Sequence, residues 1–520
     1  MPSPSIVEQM TAHALAYASI HGLAVQSTDK RTYECAPISL LPNAYPKQAF
    51  LKAQTLAVPL NRMVDAVSQD GNFLLQTLQD VQDPFTAKLL QLYQDIHLNA
   101  DTTMDNQPAK QADRLGIFRS DYMLHQETNN KQYELKQVEL NTIASSFAAL
   151  AVQVASLHRY LVARFESSIQ EWLMANKLIV MSSLKTPQLL PNDEGVPFNP
   201  ALSCIPEAME MAYERYRQRF VSNNKQPLVI LFVVQDGETN TMDQRMLEFK
   251  LWQHLHIPVV RRSLTQLDAT SRVTSDGALY VTDEMGQDVQ VALVYYRAGY
   301  APTDYPSEVQ WQVRQRLEQS RATKCPNLGH HLAGTKKVQQ ALARPHVVER
   351  YCHHEDAALI RSAFAGLYSL GSDATAEDLE AVRDVLQNNA AGNYVLKPQR
   401  EGGGYNYYGQ RLADKLEQLV SIQENGSITL QPELSEFILM QRLFPPQQEA
   451  ILLRSGKLQG QGPSISELGC FGTILASADG EILHNKYAGF LLRTKFANVD
   501  EGGVASGFAT LSSPYLCSEP

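Results

Sequence analysis

The chain has 520 residues, of which 44% are hydrophobic, 19% charged and 8% aromatic, and its formal net charge is -10. A chain of this length holds roughly three domains of about 150 residues each, and such a composition excludes extensive disorder. The surplus of acids excludes a broad nucleic-acid-binding surface, while a local cluster of cations can still hold a small anionic ligand.

The first Lys or Arg is Lys30, so the N-terminus lacks the basic region of a signal peptide and the Arg-rich character of a transit peptide. A cytoplasmic protein is expected. Residues 1–225 read mainly as helices. In "DPFTAKLLQLYQDIHL", Asp83 suits an N-cap and Pro84 the first helical position, which predicts a helix running to Leu98. In "YELKQVELNTIASS", Leu135, Val138 and Leu140 sit among polar residues and predict a short strand ending near Asn141. Helical spacing then predicts a long helix from Ala148 towards Trp172 and another from Pro206 to Phe220. The apolar stretch Ser145 to Leu157 is too short to cross a bilayer, so no membrane partner is expected.

From there strands alternate with helices. "PLVILFVV" and "VALVYY" are continuous apolar runs of the kind buried in parallel sheets, each followed by a helical pattern. They define an expected α/β unit over 226–330, followed by a connector over 331–362. Residues 363–460 form a further unit with the helix "TAEDLEAVRDVLQN", the strands "NYVLK", "EFILM" and "AILLRS", and a glycine loop. The final segment, 461–520, carries two strands around "ASADGEIL", where Asp479-Gly480 signals a hairpin. Six dispersed cysteines fit reduced, packed thiols.

Three stretches could carry chemistry. "VLKPQREGGGYNYYGQ" sets Lys397 and Glu401 beside Gly402, Gly403 and Gly404, which are tolerated together where positive φ or close ligand approach is needed. Their N–H groups could wrap phosphates, although the loop has neither the P-loop nor the dinucleotide pattern; a flexible hairpin is the alternative. In "QVELNT", Glu139 and Asn141 are two apart, which on a strand directs both to one face, with oxygen donors suited to Mg²⁺. On spacing alone a solvated strand face explains that pair better, and the pair gains meaning only where another carboxylate, such as Glu401 or Glu467, joins it in space. Lys336, Arg493 and Lys495 could hold anionic oxygens, Arg493 with a planar fork, or could simply be solvated. "YCHHED" offers Cys352, His353, His354 and Glu355, but four neighbours on one helix cannot converge on one ion, so a transition-metal site is not expected. No serine-nucleophile elbow is present.

Taken in order, "RSDYM", "QVELNTIASSF", "TMDQR", "YYRAGY", "TKCP", "LAGTKKVQQ", "VLKPQREGGG", "SELG", "LLRTK" and "GGVASG" resemble the eukaryotic-type glutathione synthetases of the ATP-grasp superfamily. The resemblance runs from about Ala36 to the C-terminus. It implies a multidomain α+β and α/β fold: an ATP-grasp-like body, an inserted α/β substrate-binding domain at 226–330 and a mobile lid at 363–460. It further implies a homodimer, ATP as co-substrate, Mg²⁺ with two ions per active site, and ligation of γ-glutamylcysteine to glycine through an acyl phosphate.

By matching position, the resemblance makes Glu139, Asn141 and Glu401 magnesium ligands. Lys336 and Lys397 would hold ATP phosphates, assisted by Pro398, Gln399, Arg400, the three glycines, Tyr405 and Asn406. Met440, Gln441, Arg442 and Leu443 would border the adenine, and Tyr408, Glu467, Lys495 and Glu501 would complete the nucleotide site. The dipeptide would meet Arg119, Ile143, Ala144, Ser145, Ser146, Glu238, Thr239, Asn240, Gln244, Arg297, Ala298, Gly299, Tyr300, Val504 and Ala505. Arg493 would bridge substrate carboxylate and phosphoryl group, and Arg119 would hold a carboxylate. The chain departs from the family pattern at Tyr405, Ala298, Ala144 and Gln441-Arg442, which touches fine substrate contacts rather than the reaction class. The small Ala505 and Ser506 resemble the glycine-using members rather than those using β-alanine.

Overall fold

The computed structural model describes residues 2–27, 29–99, 112–126, 133–175, 195–221, 227–399, 405–504 and 507–517. Its frame is a 13-stranded mixed sheet. At the centre, Arg114–His125 pairs antiparallel with Lys457–Ala476 on one side and with Glu134–Asn141 on the other. Lys457–Ala476 pairs in turn with Ile482–Phe496 through the Asp479-Gly480 turn, where Ser477 N–H donates to Glu481 O at 2.8 Å.

The parallel part follows the apolar runs read from the sequence. Every residue of Leu228–Val233 is buried, and this strand pairs parallel with Asp288–Tyr296 and Val259–Arg262. Helices Thr241–Leu255 and Glu308–Gln319 follow these strands as expected. The short Thr323–Cys325 pairs parallel with both Asp288–Tyr296 and Arg114–His125, so the 226–330 segment shares its sheet with the centre.

A second, four-stranded antiparallel sheet contains Leu367–Ser369, Phe437–Gln441, Tyr394–Pro398 and Tyr407–Tyr408. Helices Ala376–Gln387 and Gly409–Leu419 cover it, burying Val382, Leu396, Leu412, Leu416 and Leu439 in a core of their own. The first helix is opened by a reciprocal cap in which Thr375 N–H donates to Asp378 Oδ2 at 2.7 Å.

Several sequence expectations need correction. The N-terminal part is less helical than read, because Arg114–His125 is a long strand there. The helix from Asp83 is α-helical only over Pro84–Tyr93 and continues as a π turn over Gln94–Leu98. The long helix after Phe147 is interrupted at Phe165, giving Ala148–Arg164 and Glu166–Ala175. The next helix starts at Ala201, upstream of Pro206. Cys352 and His353 precede helix His354–Arg361 rather than lying in it. Among the described residues no helix is long and apolar enough to cross a membrane.

Candidate functional site

The site is built on one face of the central strands. Arg119 pairs with Asn141 and Asp121 with Glu139; across the sheet Asp121 pairs with Gly469, and Glu467 with Arg493. Alternation along each strand puts these residues on a common face. The Asp121 carboxylate is the centre of their contacts. Its Oδ1 accepts from Arg119 Nε at 2.7 Å, and its Oδ2 accepts from Arg119 Nη2 at 2.8 Å, Arg493 Nη2 at 2.8 Å and Asn141 Nδ2 at 3.0 Å. Arg493 also donates to Glu467 Oε1.

Two lysines complete the group. Lys336, at the first position of helix Lys336–Ala343, places Nζ 3.0 Å from Glu139 Oε2. Lys397, on the second sheet, donates from Nζ to Val138 O at 3.0 Å. The expected pairing of Glu139 with Asn141 on one strand face is seen, with Asn141 Nδ2 3.4 Å from Glu139 Oε1.

Burial alone would raise the pKa of Glu139, but Lys336, Lys397 and Arg493 outweigh it and hold the carboxyl well below the usual range. Burial likewise disfavours the Arg493 charge, and Glu467, Asp121 and Glu139 overcome that, so the guanidinium stays protonated. Burial lowers the Lys397 ammonium despite its carboxylate neighbours. Glu467 is pushed up by burial, with Asp121 and Glu139 adding to the effect against Arg493.

One wall of the cleft is the loop Ile143–Phe147. Ala144 and Phe147 have φ of 51° and 70°, a left-handed conformation that costs about 1 kcal/mol or more for such residues unless its surroundings enforce it. Arg297 supplies part of that enforcement, donating from Nη1 to Ser145 O at 2.9 Å and from Nη2 to Ser146 Oγ at 2.6 Å. Asp243 supplies more, accepting the N–H groups of Phe147 and Ala149 at 2.8 Å each. Arg119 Nη1 reaches Ser146 O at 3.2 Å and ties this wall to the floor.

The opposite wall joins the end of the glycine loop to the segment Asp500–Val504. Asn406 N–H donates to Glu501 Oε1 at 3.2 Å, and Asn406 Nδ2 donates to Tyr408 OH at 3.3 Å. Lys495 Nζ donates to the Asp500 and Glu501 carbonyls, and Arg442 pairs with Asp500 at 3.0 Å.

The cleft therefore gathers Arg119, Glu139, Asn141, Ile143, Ala144, Ser145, Ser146, Tyr300, Lys336, Lys397, Asn406, Tyr408, Glu467, Arg493, Lys495, Glu501 and Val504. The other candidates stand behind or beside it. Met440 and Leu443 are buried with Ala365 against Met123 and Val138, while the Gln441 amide oxygen accepts from Gly366 N–H at 3.1 Å. The Gln399 side chain accepts from Lys337 N–H at 2.9 Å; Pro398 ends its strand, and Tyr405 is 58% exposed. Glu238 accepts from Gln244 Nε2 at 2.6 Å and from Asn240 N–H at 2.7 Å, and Thr239 O accepts from Gln26 N–H. Ala298 is buried, and Gly299, with φ 92°, leads to Tyr300. Arg400, Glu401, Gly402, Gly403, Gly404, Ala505 and Ser506 lie outside the described residues. Asp121, Asp243 and Gly469 are members of the arrangement that sequence reasoning did not single out.

Among the described residues no three His, Cys, Asp or Glu side chains form a metal cage. What the described lining holds instead is five cations, Arg119, Lys336, Lys397, Arg493 and Lys495, against four carboxylates, Glu139, Glu467, Asp500 and Glu501. A mixed α/β fold that gathers five cations beside carboxylate and amide oxygens in one cleft has the charges and donors to hold small anionic groups.

A family model described as the ATP binding domain of eukaryotic glutathione synthase matches residues 4–516. The chloroplastic glutathione synthetase of Solanum lycopersicum is 37% identical over 522 residues, covering 98% of this chain and 84% of its own. Glutathione synthetase of Dictyostelium discoideum is 35% identical, with 92% and 91% covered, and that of Homo sapiens is 33% identical, with 98% and 96% covered. In fold, the chain is similar to a solved glutathione synthetase-like effector of Globodera pallida in its apo form, with a TM-score of 0.72 at 20% identity, 99% of this chain and 98% of that one being covered. The chain belongs to the eukaryotic glutathione synthase family of ATP-dependent ligases.

Proposed function

We propose that this protein joins γ-glutamylcysteine to glycine, converting ATP to ADP and phosphate. The observation that carries the reading is the convergence of Arg119, Lys336, Lys397 and Arg493 with Glu139, Asn141 and Glu467 on one cleft in a chain of this family.

The chemistry asks for positioning and charge stabilisation rather than a nucleophilic side chain. A carboxylate is a poor electrophile, so phosphoryl transfer from ATP to the cysteinyl carboxylate gives an acyl phosphate, with ADP leaving. The glycine amine attacks that carbonyl, loses its proton and expels phosphate. Lys336 and Lys397 hold the ATP phosphates, Arg493 bridges the reacting carboxylate and phosphoryl oxygens, and Arg119 holds a substrate carboxylate. Burial gives these contacts their strength, because a low-dielectric site does not screen them as water does.

The donor set fits magnesium. Five cations against four carboxylates leave little net positive charge for a triphosphate, and Glu139 and Asn141 offer hard oxygens in the cleft. They would hold Mg²⁺ with Glu401, and the ion would neutralise phosphate charge.

The same reading assigns Met440 to Leu443 to the adenine border, Glu238 to Asn240, Gln244 and Arg297 to Tyr300 to the dipeptide side, and residues 363–460 to a lid that excludes water from the acyl phosphate. It includes a homodimer and a cytoplasmic location, which light scattering and fractionation measure.

A coupled ADP-release assay with γ-glutamylcysteine tests the reading, using glycine, β-alanine and serine as acceptors. ADP release that requires the dipeptide and favours glycine is the expected result. Release driven equally by unrelated carboxylates would overturn the substrate, and ATP binding without turnover would overturn the activity.

A further inference from the structure

We infer that Asp121 is a positioning residue for catalysis: its carboxylate fixes the spacing of the Arg119 and Arg493 guanidinium groups, and with it the spacing of the two anionic groups they hold. The inference rests on the ligase reading above.

Asp121 has no exposed surface and is not part of the cleft lining, so it acts only through its neighbours. Its Oδ2 is shared, accepting from Arg119 Nη2 and Arg493 Nη2 at 2.8 Å each. The second contact to Arg119, from Nε to Oδ1 at 2.7 Å, makes that pair a two-pronged fork, which fixes direction as well as distance. Without a shared anion, two guanidinium groups this close would repel and separate.

A second observation points the same way. Arg119 and Arg493 come from strands that are not neighbours, since Lys457–Ala476 runs between them. Arg493 reaches Asp121 across that intervening strand, where Gly469 is the residue paired with Asp121. A Cβ at Gly469 would lie 2.7 Å from Asp121 Oδ1 and 2.8 Å from Arg119 Cδ. The missing side chain is therefore the space occupied by the fork. Each anion held by one arginine is thereby referenced to the other, a geometric need of any reaction that moves a phosphoryl group onto a carboxylate and then removes it.

The test compares kcat and the KM of each substrate, together with thermal unfolding, in wild type, Asp121→Asn, Gly469→Ala, Arg493→Lys and Asp121→Asn with Arg493→Lys. In Asp121→Asn, one carboxylate oxygen becomes a donor facing donors. Its kcat is expected to fall on the order of 100-fold, with KM for ATP within about twofold of wild type. Gly469→Ala, which displaces the fork while keeping its charge, is expected to show the same pattern. If Asp121 acts through Arg493, the double variant falls no further than about twofold below the worse single one. A kcat within about threefold of wild type in folded Asp121→Asn would overturn the inference, as would losses that multiply in the double variant. Should Asp121→Asn not fold, Gly469→Ala decides by its kcat, and unfolding of both would give Asp121 a folding role instead. Failure of the ligase reading is distinguishable, because wild type itself would then show no ADP release dependent on dipeptide and glycine.

Discussion

Lys336 Nζ stands 3.0 Å from Glu139 Oε2, so the first residue of a helix meets a carboxylate near the end of a strand. Both side chains line the cleft, and the lysine side chain is only 6% exposed. Glu139→Gln would remove one charge and leave the lysine buried beside a neutral amide, in a place proposed for magnesium. Turnover is expected to fall on the order of 100-fold or more, and the Mg²⁺ concentration needed for half-maximal ADP release to rise about tenfold. Unchanged Mg²⁺ dependence would remove Glu139 from the metal site.

Chelation provides a complementary measurement. Treatment with EDTA is expected to abolish ADP release, and Mg²⁺ to restore it, while the unfolding temperature of the nucleotide-free protein changes little. The reason is that the described cleft already balances most of its acids with cations.

Asp243 is 1% exposed and accepts the N–H groups of Phe147, Ala149 and Leu150 at 2.8, 2.8 and 3.2 Å. Burial raises its pKa, and Arg297 with these three donors only partly offsets that. Asp243→Asn is expected to cost about 2 kcal/mol of stability, the scale of a charge-assisted hydrogen bond lost in the interior. It should also raise KM for the dipeptide more than for ATP, because Phe147 ends the loop that forms one wall. Chemical denaturation and steady-state kinetics measure the two effects.

Stability should fall with moderate acidity. His158 has no exposed surface and lies between Ser513 Oγ at 2.7 Å and Ser39 O at 2.9 Å, and burial lowers its pKa to about 4. His331 is lowered to about 3 by burial and by Arg314. The unfolded chain takes up these protons near pH 6.5. Their contribution is therefore complete above about pH 6.5 and is lost as pH falls from there towards the folded values. His158 alone accounts for about 2 kcal/mol lost between pH 7 and pH 5, and His158→Asn should reduce the measured pH 7 to pH 5 difference by that amount.

The parts of this fold legible in the sequence are those whose environment is uniform. Leu228–Val233 is buried in a parallel part of the sheet, and such burial selects an unbroken apolar run. Arg114–His125 is almost as buried, yet it contains Arg114, Arg119, Ser120, Asp121 and His125. Polar residues are buried only when partnered, and the partners come from distant segments, so no local pattern announces the strand. Arg114, for instance, is held by Asp65 at 2.7 Å. Glu139 and Asn141 were legible from their spacing of two. The same spacing in "RSDYM" would have linked Arg119 to Asp121. Asp243 is harder, since an acid in the first turn of a helix reads as serving its own N-terminus, whereas this one serves the start of Ala148–Arg164.

Lys336 and Lys337 are consecutive, yet they reach different sheets. Lys336 meets Glu139, while Lys337 Nζ donates to Ser369 Oγ and Asp373 Oδ1 at 2.6 Å each, and its N–H holds Gln399, two residues beyond Lys397. One turn of helix thus braces the strand bearing Glu139 against the sheet bearing Lys397. A single-residue insertion or deletion at this helix start would shift both lysines by one position, so that at most one of the two sets of partners could still be met, and would disturb both sides of the cleft together. The consequence is mechanical coupling: the Lys336–Glu139 contact in the cleft and the seating of the second sheet hang on one helix start, so a displacement of either is passed at once to the other.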